Sequence, residues 1–360
     1  MARIHTLFAT VLASGLVLAG ACKKDEKKAE PAATDKTATD PKVAEKPTAE
    51  KPAPGVAPTG AIADDLALLP VDSEAVIGIN FAQLQSSPLW KKFVEPQMMK
   101  GDFPQKLAQF KSKCGFDPMA AIKSLSIGMK GVGGDNPDGV IVVHGAGKKE
   151  SLDCFDKMKD EAAKSGDEIS RDGDVVMVKS KKGENVAITF VNDTTAVAVV
   201  GPNATKDGVK KAAQGGSALK SSPAFVEMYG KINTQASLWM PVNGNAKVFD
   251  KAAQMGVKPK AVFGSVNVTD GLSVDVRMRL ESPDQATQMA TAFNGQLAAF
   301  KSMVDKLEVG NDGSDVKVSV AMSQPKLEAL VKNLGAMFGG RGGAGAGAGG
   351  GGGGMGGGTP

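Results

Sequence analysis

The residue types that most often carry protein chemistry are few in this chain and widely spaced. Histidine occurs only at His5 and His144, and cysteine only at Cys22, Cys114 and Cys154. A hydrolase built on a Ser–His or Cys–His pair would depend on a single histidine, and a catalytic zinc site would lack its usual two or three imidazoles. We therefore expect no catalytic residue, no metal site and no cofactor. His144 is predicted to be a partly buried residue at the end of a strand.

Two glycine-containing loops are weaker candidates for ligand sites. Gly145-Ala-Gly-Lys148-Lys149 is similar to a phosphate loop, but it lacks the first glycine at the required spacing and the Ser or Thr after the lysine. Asp135 and Asp138 lie in a second glycine-rich loop, with a spacing that matches no known calcium loop. We interpret the first loop as a turn between a strand and a helix, and the second as a loop between two strands.

Acidic pairs and methionines also have simpler interpretations. Asp64-Asp65 and Asp160-Glu161 are predicted to lie in a linker or on solvated helix faces. An enzyme that uses carboxylates alone remains an alternative hypothesis, because only a structure shows whether two acidic side chains meet in one cleft. The methionines are predicted to fill gaps in a core that is poor in aromatic residues.

The N-terminal segment has the composition of an export signal. An apolar run, Leu7–Leu18, follows Arg3 and ends on small residues directly before Cys22. This arrangement resembles the lipobox of bacterial lipoproteins, although Ala19 stands where leucine is usual. The resemblance implies cleavage before Cys22, lipid on its thiol, and attachment to a membrane through that lipid. Lys23 then favours the outer membrane. The alternative is an ordinary signal peptide that happens to end near a cysteine.

Two cysteines remain after Cys22 is assigned to lipid. In an exported protein an even remainder indicates a disulfide, here between Cys114 and Cys154. Two buried free thiols are the alternative.

The sequence predicts five parts along the chain. Residues 22–60 are rich in Lys, Glu, Ala and Pro, which predicts a disordered tether, and residues 339–360 form a glycine-rich tail that is also predicted to be disordered. The folded region is predicted to comprise two units, residues 61–215 and residues 216–338. Residues 1–21 are the export signal.

Alternating and helical patterns follow each other through the folded region. Leu272–Leu280 alternates apolar and polar residues, and a Thr-Asp-Gly turn joins it to Val262–Val268, which predicts a hairpin. A helix capped by Ser282 should follow. Its apolar stripe contains Met289, Phe293, Leu297, Phe300, Val304 and Leu307.

The order strand, helix, two strands, helix, strands, helix occurs twice along the chain. We therefore predict an α+β fold made of two related units, each an antiparallel sheet with helices packed on one face.

A second resemblance lies at the start of the folded region. The segment Leu69-Pro-Val-Asp-Ser-Glu-Ala-Val-Ile-Gly-Ile-Asn-Phe81, followed by Leu84-Gln-Ser-Ser-Pro-Leu-Trp90, is similar to the opening of a broad group of uncharacterised bacterial envelope proteins. That group has no established activity, so the resemblance implies an architecture and a place in the cell envelope.

Charge argues against one class of partner. The net charge is +4, with acidic and basic residues interspersed, whereas nucleic-acid binders concentrate Lys and Arg on one face. Our leading hypothesis is a non-enzymatic binding or scaffold module on the cell envelope, with a protein partner that the sequence does not identify. The main alternative is a carrier of lipids or small molecules with an apolar pocket. Neither pattern nor composition predicts the oligomeric state.

Overall fold

A computed structural model describes residues 61–133, 137–215, 218–254 and 256–339. These residues lie in one of the two compact units into which the chain divides, Gly55–Pro360. The predicted export signal, Cys22, the tether and the tail from residue 340 onward lie outside the described residues.

Twelve strands in the described part of the chain form one antiparallel sheet. They are β1 Ala75–Asn80, β2 Ser124–Lys130, β3 Asp138–His144, β4 Glu168–Asp172, β5 Val175–Lys179, β6 Asn185–Asn192, β7 Thr195–Val200, β8 Leu238–Asn243, β9 Ala261–Val268, β10 Gly271–Arg279, β11 Lys306–Asp312 and β12 Asp315–Ser323.

The α-helices are short apart from four. They are α1 Ala61–Leu68, α2 Phe81–Ser86, α3 Glu95–Met98, α4 Phe103–Cys114, α5 Pro118–Ala121, α6 Lys148–Ser165, α7 Lys206–Ala213, α8 Pro223–Tyr229, α9 Asp250–Gln254, α10 Pro283–Leu297 and α11 Gln324–Gly339. A π-helical turn spans Trp90–Val94, and 3-10 turns span Leu219–Ser221, Lys247–Phe249 and Ala298–Met303.

The fold is therefore α+β, as the alternating patterns predict. The strand order is β11-β12-β10-β9-β8-β1-β2-β3-β7-β6-β5-β4. Counted outward from the central β1–β8 pair, one side reads β1-β2-β3-β7-β6 and the other reads β8-β9-β10-β12-β11. The two sides thus have the same chain order, and the first half continues through β5 and β4.

Helices pack on both faces of the sheet, so the prediction of a single covered face is wrong. Tyr229 at the end of α8 packs edge-to-face on Trp239 of β8, with ring centroids 5.1 Å apart. Ala286 and Ala290 of α10 pack instead with Val316 of β12 in a separate apolar cluster. The strand registers place Trp239 and Val316 on opposite sides of the sheet. We call these sides the Trp239 face and the Val316 face.

The sequence of β3 agrees with a sheet that is covered on both faces. Val140-Ile-Val-Val143 is apolar at every position, and such a run is typical of a strand whose two faces are both covered. Val142 is fully buried on the Trp239 face, while Val143 remains partly exposed on the other.

The segment after α10 departs from the predicted helical stripe. Ser282 caps α10 as predicted, by accepting from the backbone N–H of Gln285. The helix ends at Leu297, however, and Leu307 lies in β11. The reason is a hairpin: β11 and β12 meet at a tight turn in which Gly313 has a φ of 58°. The apolar residues after Leu297 match the helical spacing only by coincidence. Phe300, for example, is 51% exposed.

Candidate functional site

Of the sequence-predicted site residues, the two folded-region cysteines are brought together. Cys114 and Cys154 form a disulfide with their Cα atoms 4.6 Å apart. Cys114 is the last residue of α4, which Gly115 ends in a left-handed conformation, and Cys154 is buried in α6. The bond thus joins two helices through cysteines that are 40 residues apart in sequence. Cys22 lies outside the described residues.

His144 belongs to a buried polar cluster that joins α1 to the sheet. Its Nε2 lies 2.6 Å from Oδ1 of Asp65. The hydroxyl of Ser126 donates to Oδ2 of the same carboxylate at 2.6 Å. On the other side of the ring, Nδ1 lies 3.2 Å from the hydroxyl oxygen of Thr195. We call these four residues the Asp65 cluster.

Local sequence explains how each member reaches the cluster. Asp65 lies on the same side of α1 as Leu69, four residues later, and Leu66 and Leu69 are both buried in the main core. Ser126 and Thr195 flank β3 from the neighbouring strands, with Thr195 directly opposite His144 in the register. The apolar side of α1 therefore carries the carboxylate into the sheet.

The hydrogen bonds determine what this cluster can do. The imidazole of His144 lies between the Asp65 carboxylate at Nε2 and the Thr195 hydroxyl at Nδ1. The order hydroxyl, imidazole, carboxylate is that of a nucleophilic relay. Thr195 and Ser126 are only 6% and 1% exposed, however, so no substrate reaches either hydroxyl. The geometry is that of a clamp between α1 and the sheet.

The prediction that Asp65 is solvated is wrong, because its side chain is 1% exposed. The side chain of Asp64 lies outside what the structure describes. A helical reading of the sequence could have found the buried carboxylate, since a residue four before a buried leucine shares its helix face. Asp160, by contrast, is exposed, and Glu161 forms an ion pair with Lys113 near the surface.

A second buried carboxylate lies on the Trp239 face near the outer edge. Asp315 is 1% exposed and accepts from Arg279 at 2.7 and 3.1 Å and from Lys231 at 2.7 Å. Burial raises the pKa of Asp315, but the hydrogen bonds from the two cations outweigh burial and hold that pKa below its usual value. Arg279 also lies over the ring of Phe263 and pairs with Glu227 of α8. This network ties α8 to the edge of the sheet.

The two glycine-containing loops carry structural contacts. Gly145 has a φ of 101°, and Gly147 directly precedes α6, as expected of a turn between a strand and a helix. Lys148 pairs with Asp174 at 2.7 Å and Lys149 with Asp153 at 2.8 Å, so neither lysine points at an anion site.

In the other loop, Asp135 lies outside the described residues, and Asp138 accepts from the side chain of Asn203. No group of three or more potential metal ligands occurs among the residues that the structure describes.

The Val316 face carries a feature that pattern analysis of single strands did not show. One side chain from each of ten neighbouring strands lies in a continuous apolar row. Its members are Phe190, Ala196, Val143, Leu125, Ile79, Leu238, Val266, Val274, Val320 and Leu307. All except Ala196 are partly exposed. We call this the apolar row.

The row is broad and does not coincide with a closed pocket. Two shallow, open pockets occur among the described residues, with volumes of about 330 and 230 Å3. Both lie at strand ends around Asp270, Gly271 and Ser323, and neither is lined by a member of the row.

None of the helices in the described ranges is long and apolar enough to cross a membrane. No family model, curated protein or solved structure matches this chain significantly.

Proposed function

We propose that this chain is a lipid-anchored protein of the bacterial cell envelope whose α+β domain binds or scaffolds another envelope component without catalysing a reaction. The lipobox-like segment before Cys22 supports the anchor. The apolar row supports the binding role, because a broad apolar surface that stays partly exposed is typical of a protein–protein contact.

The polar clusters support a non-catalytic role. Each buried carboxylate described above is bound by partners within the fold: Asp65 by His144 and Ser126, and Asp315 by Arg279 and Lys231. These contacts tie helices to the sheet. An enzyme that uses carboxylates alone would need two acids free to meet a substrate in one cleft.

We further propose that the two halves of the sheet are related units that arose by duplication. The matching chain order on either side of the β1–β8 pair supports this origin. The repeated Leu-x-Ser-Ser-Pro phrase, at Leu84–Pro88 and Leu219–Pro223, agrees with it. The phrase follows β1 in the first half but precedes β8 in the second, so the topology is the stronger argument.

In-cell crosslinking tests the binding role. A photo-crosslinking residue replaces Val274 in the apolar row of the full chain, and the matched control carries it at Lys182, an exposed residue in the β5–β6 turn. We expect one defined protein adduct at position 274 and none at 182. A parallel Cys22→Ala chain should lose the adduct, since it would no longer be held at the membrane. Equal adducts at both positions would contradict the proposal.

A carrier of lipids or small apolar molecules is the second candidate, and the same apolar row favours it. Solvent extraction of the purified chain followed by mass spectrometry distinguishes the two functions. A stoichiometric lipid in the wild-type chain that is lost from a Val274→Asp variant would favour the carrier. A chain without bound lipid that still forms the position-274 adduct would favour the scaffold.

A further inference from the structure

Exposed apolar side chains concentrate on three segments of the described chain. Nine large apolar residues are exposed among the residues that the structure describes. Five of them lie on the π-turn with α3, on the 3-10 turn after α10, and on α11: Val94 38%, Met99 55%, Phe300 51%, Met303 42% and Val331 44%. We call these five residues the exposed patch.

Polar contacts hold the three segments beside one another. Lys92 in the π-turn forms an ion pair with Glu328 in α11. Two residues earlier in the same helix, Lys326 donates to the carbonyl of Val304 at 2.6 Å and pairs with Asp305 at 3.1 Å. The first turns of α11 therefore lie between the π-turn and the end of the 3-10 turn.

Lysines outnumber unpaired acids on these segments and in the turn after α3. Lys92 and Lys326 are neutralised by the ion pairs that join the segments. The exposed lysines that lack an acidic partner in the described structure are Lys91, Lys100, Lys301 and Lys332, against the exposed acids Glu95 and Asp102 on the same stretches of chain. All of these cations are lysines, whose long stems can lie along an apolar surface while the ammonium group stays in water.

We propose that the exposed patch docks on the surface of an anionic phospholipid bilayer. Phe, Met and Val side chains would enter the acyl boundary, while the surrounding lysines approach the phosphates, which is the usual chemistry of an interfacial membrane contact. The excess of lysine favours an anionic lipid surface over an uncharged protein surface. The inference rests on the proposed anchor for its cellular setting, since the anchor would hold the domain near such a surface.

Vesicle binding tests the proposal without involving the lipid anchor. The chain from residue 22 onward with Cys22→Ala, which carries neither the export signal nor the lipid, is sedimented with vesicles of phosphatidylglycerol and phosphatidylcholine in equal parts, and with vesicles of phosphatidylcholine alone. We expect binding to the anionic vesicles that weakens at high salt, because surface charge is screened by salt, and much weaker binding to the neutral vesicles.

Two variants and a matched control identify the surface. Phe300→Ser with Met303→Ser should weaken binding about tenfold, because two apolar side chains would no longer leave water. Lys301→Glu with Lys332→Glu should weaken it at least as much, through loss and reversal of charge. The control, Val191→Ser with Val226→Ser, removes two apolar residues of similar exposure elsewhere, 43% and 47%, and should bind like the parent.

Two outcomes would overturn the inference: no binding to anionic vesicles, or the same loss in the control as in the patch variants. Either result would leave the proposed anchor and apolar-row function standing, because this experiment uses neither. Circular dichroism of each variant shows whether the fold is retained, and the charge-reversal pair provides a second test if the serine pair unfolds.

Discussion

At the scale of single residues, the Asp65 cluster shows how a buried carboxylate can fix a helix to a sheet. Its oxygens are used by Ser126 and His144, and His144 is bonded in turn by Thr195. Removing one member of a buried hydrogen-bonded pair leaves the other without a partner, which is more destabilising than the pair itself is stabilising. The cluster should therefore matter to stability far more than a surface ion pair.

We predict that Asp65→Ala lowers the free energy of unfolding by about 3 kcal/mol, since it leaves the buried Ser126 hydroxyl and Nε2 of His144 without their partner. Urea denaturation measures the change. Asp160→Ala, at an exposed position on α6, is the matched control and should stay within about 0.5 kcal/mol of the wild type. Equal effects of the two substitutions would show that the cluster is not a clamp.

Tyr229 gives a second prediction at this scale, because it is the single tyrosine of the chain. Burial raises the pKa of Tyr229 to about 12, the nearby Thr234 hydroxyl opposes the rise, and the charge of Asp65 adds to it. The unfolded chain should titrate near 10. Ultraviolet absorbance of the tyrosinate in native and denatured protein measures both values without overlap from another tyrosine.

The sign of the pH effect follows from this pKa difference. The native pKa is raised, so Tyr229 contributes to stability fully below about pH 10, and that contribution is lost as the pH rises toward about 12. The difference of about 2 between the native and unfolded pKa corresponds to about 3 kcal/mol of stability. Tyr229→Phe should therefore lose less stability than the wild type over that interval. Parallel decline of the two proteins would contradict the prediction.

At the scale of elements, the central strand β1 depends on a residue without a side chain. Gly78 faces the indole of Trp239 on the adjacent β8, and a Cβ at Gly78 would overlap that ring. Trp239 is 1% exposed, and Tyr229 packs edge-to-face on it. The buried ring occupies the space where a Cβ would lie, so the glycine allows the two halves of the sheet to meet.

We predict that Gly78→Ala lowers the free energy of unfolding by about 3 kcal/mol, the upper range for an overpacked core. Gly310→Ala on the edge strand β11 is the control, because a Cβ there meets no atom within 4 Å, and it should change stability by less than about 1 kcal/mol. Urea unfolding followed by tryptophan fluorescence measures both. A tolerated Gly78→Ala would show that Trp239 can move aside.

The disulfide between α4 and α6 gives another prediction at this scale. The cysteines are 40 residues apart, and closing such a loop in the unfolded chain is worth about 4 kcal/mol in the chain-entropy model. Reductant should lower the wild-type stability by roughly that amount and leave a Cys114→Ala, Cys154→Ala variant unchanged. Alkylation of both thiols in unreduced protein would contradict the pairing in the cell.

Sequence patterns predicted elements well where local signals agreed. The β9–β10 hairpin has alternation and a turn residue pair, and α10 has its capping serine, so both are found where expected. The β11 strand was missed because Leu307, its first apolar residue, continues the helical spacing of the preceding apolar residues by chance. Only pairing with β12, a tertiary contact, identifies it as a strand. The Asp65 cluster and the apolar row also depend on partners distant in sequence.

At the scale of the whole molecule, the two predicted units share one sheet and one core. The main apolar cluster contains Leu69 and Val142 from the first half together with Phe225, Trp239 and Phe263 from the second. A continuous sheet also allows the apolar row to cross ten strands, which neither half could provide alone. The binding surface that we propose is thus a property of the joined halves.

This shared construction predicts how the halves behave when they are separated. A chain of residues 61–215 would expose β1 as an unpaired edge, and residues 216–338 would expose β8 and the ring of Trp239, since each has lost its partner strand. Unpaired apolar edges associate. We expect each fragment alone to aggregate or remain unfolded, and the two mixed during refolding to form a one-to-one complex with the tryptophan fluorescence of the intact chain. Light scattering and size-exclusion chromatography measure the outcome. Two soluble, folded monomers that do not associate would instead show that each unit has a complete core. Duplication would then have joined two independently folding domains rather than two halves of one sheet.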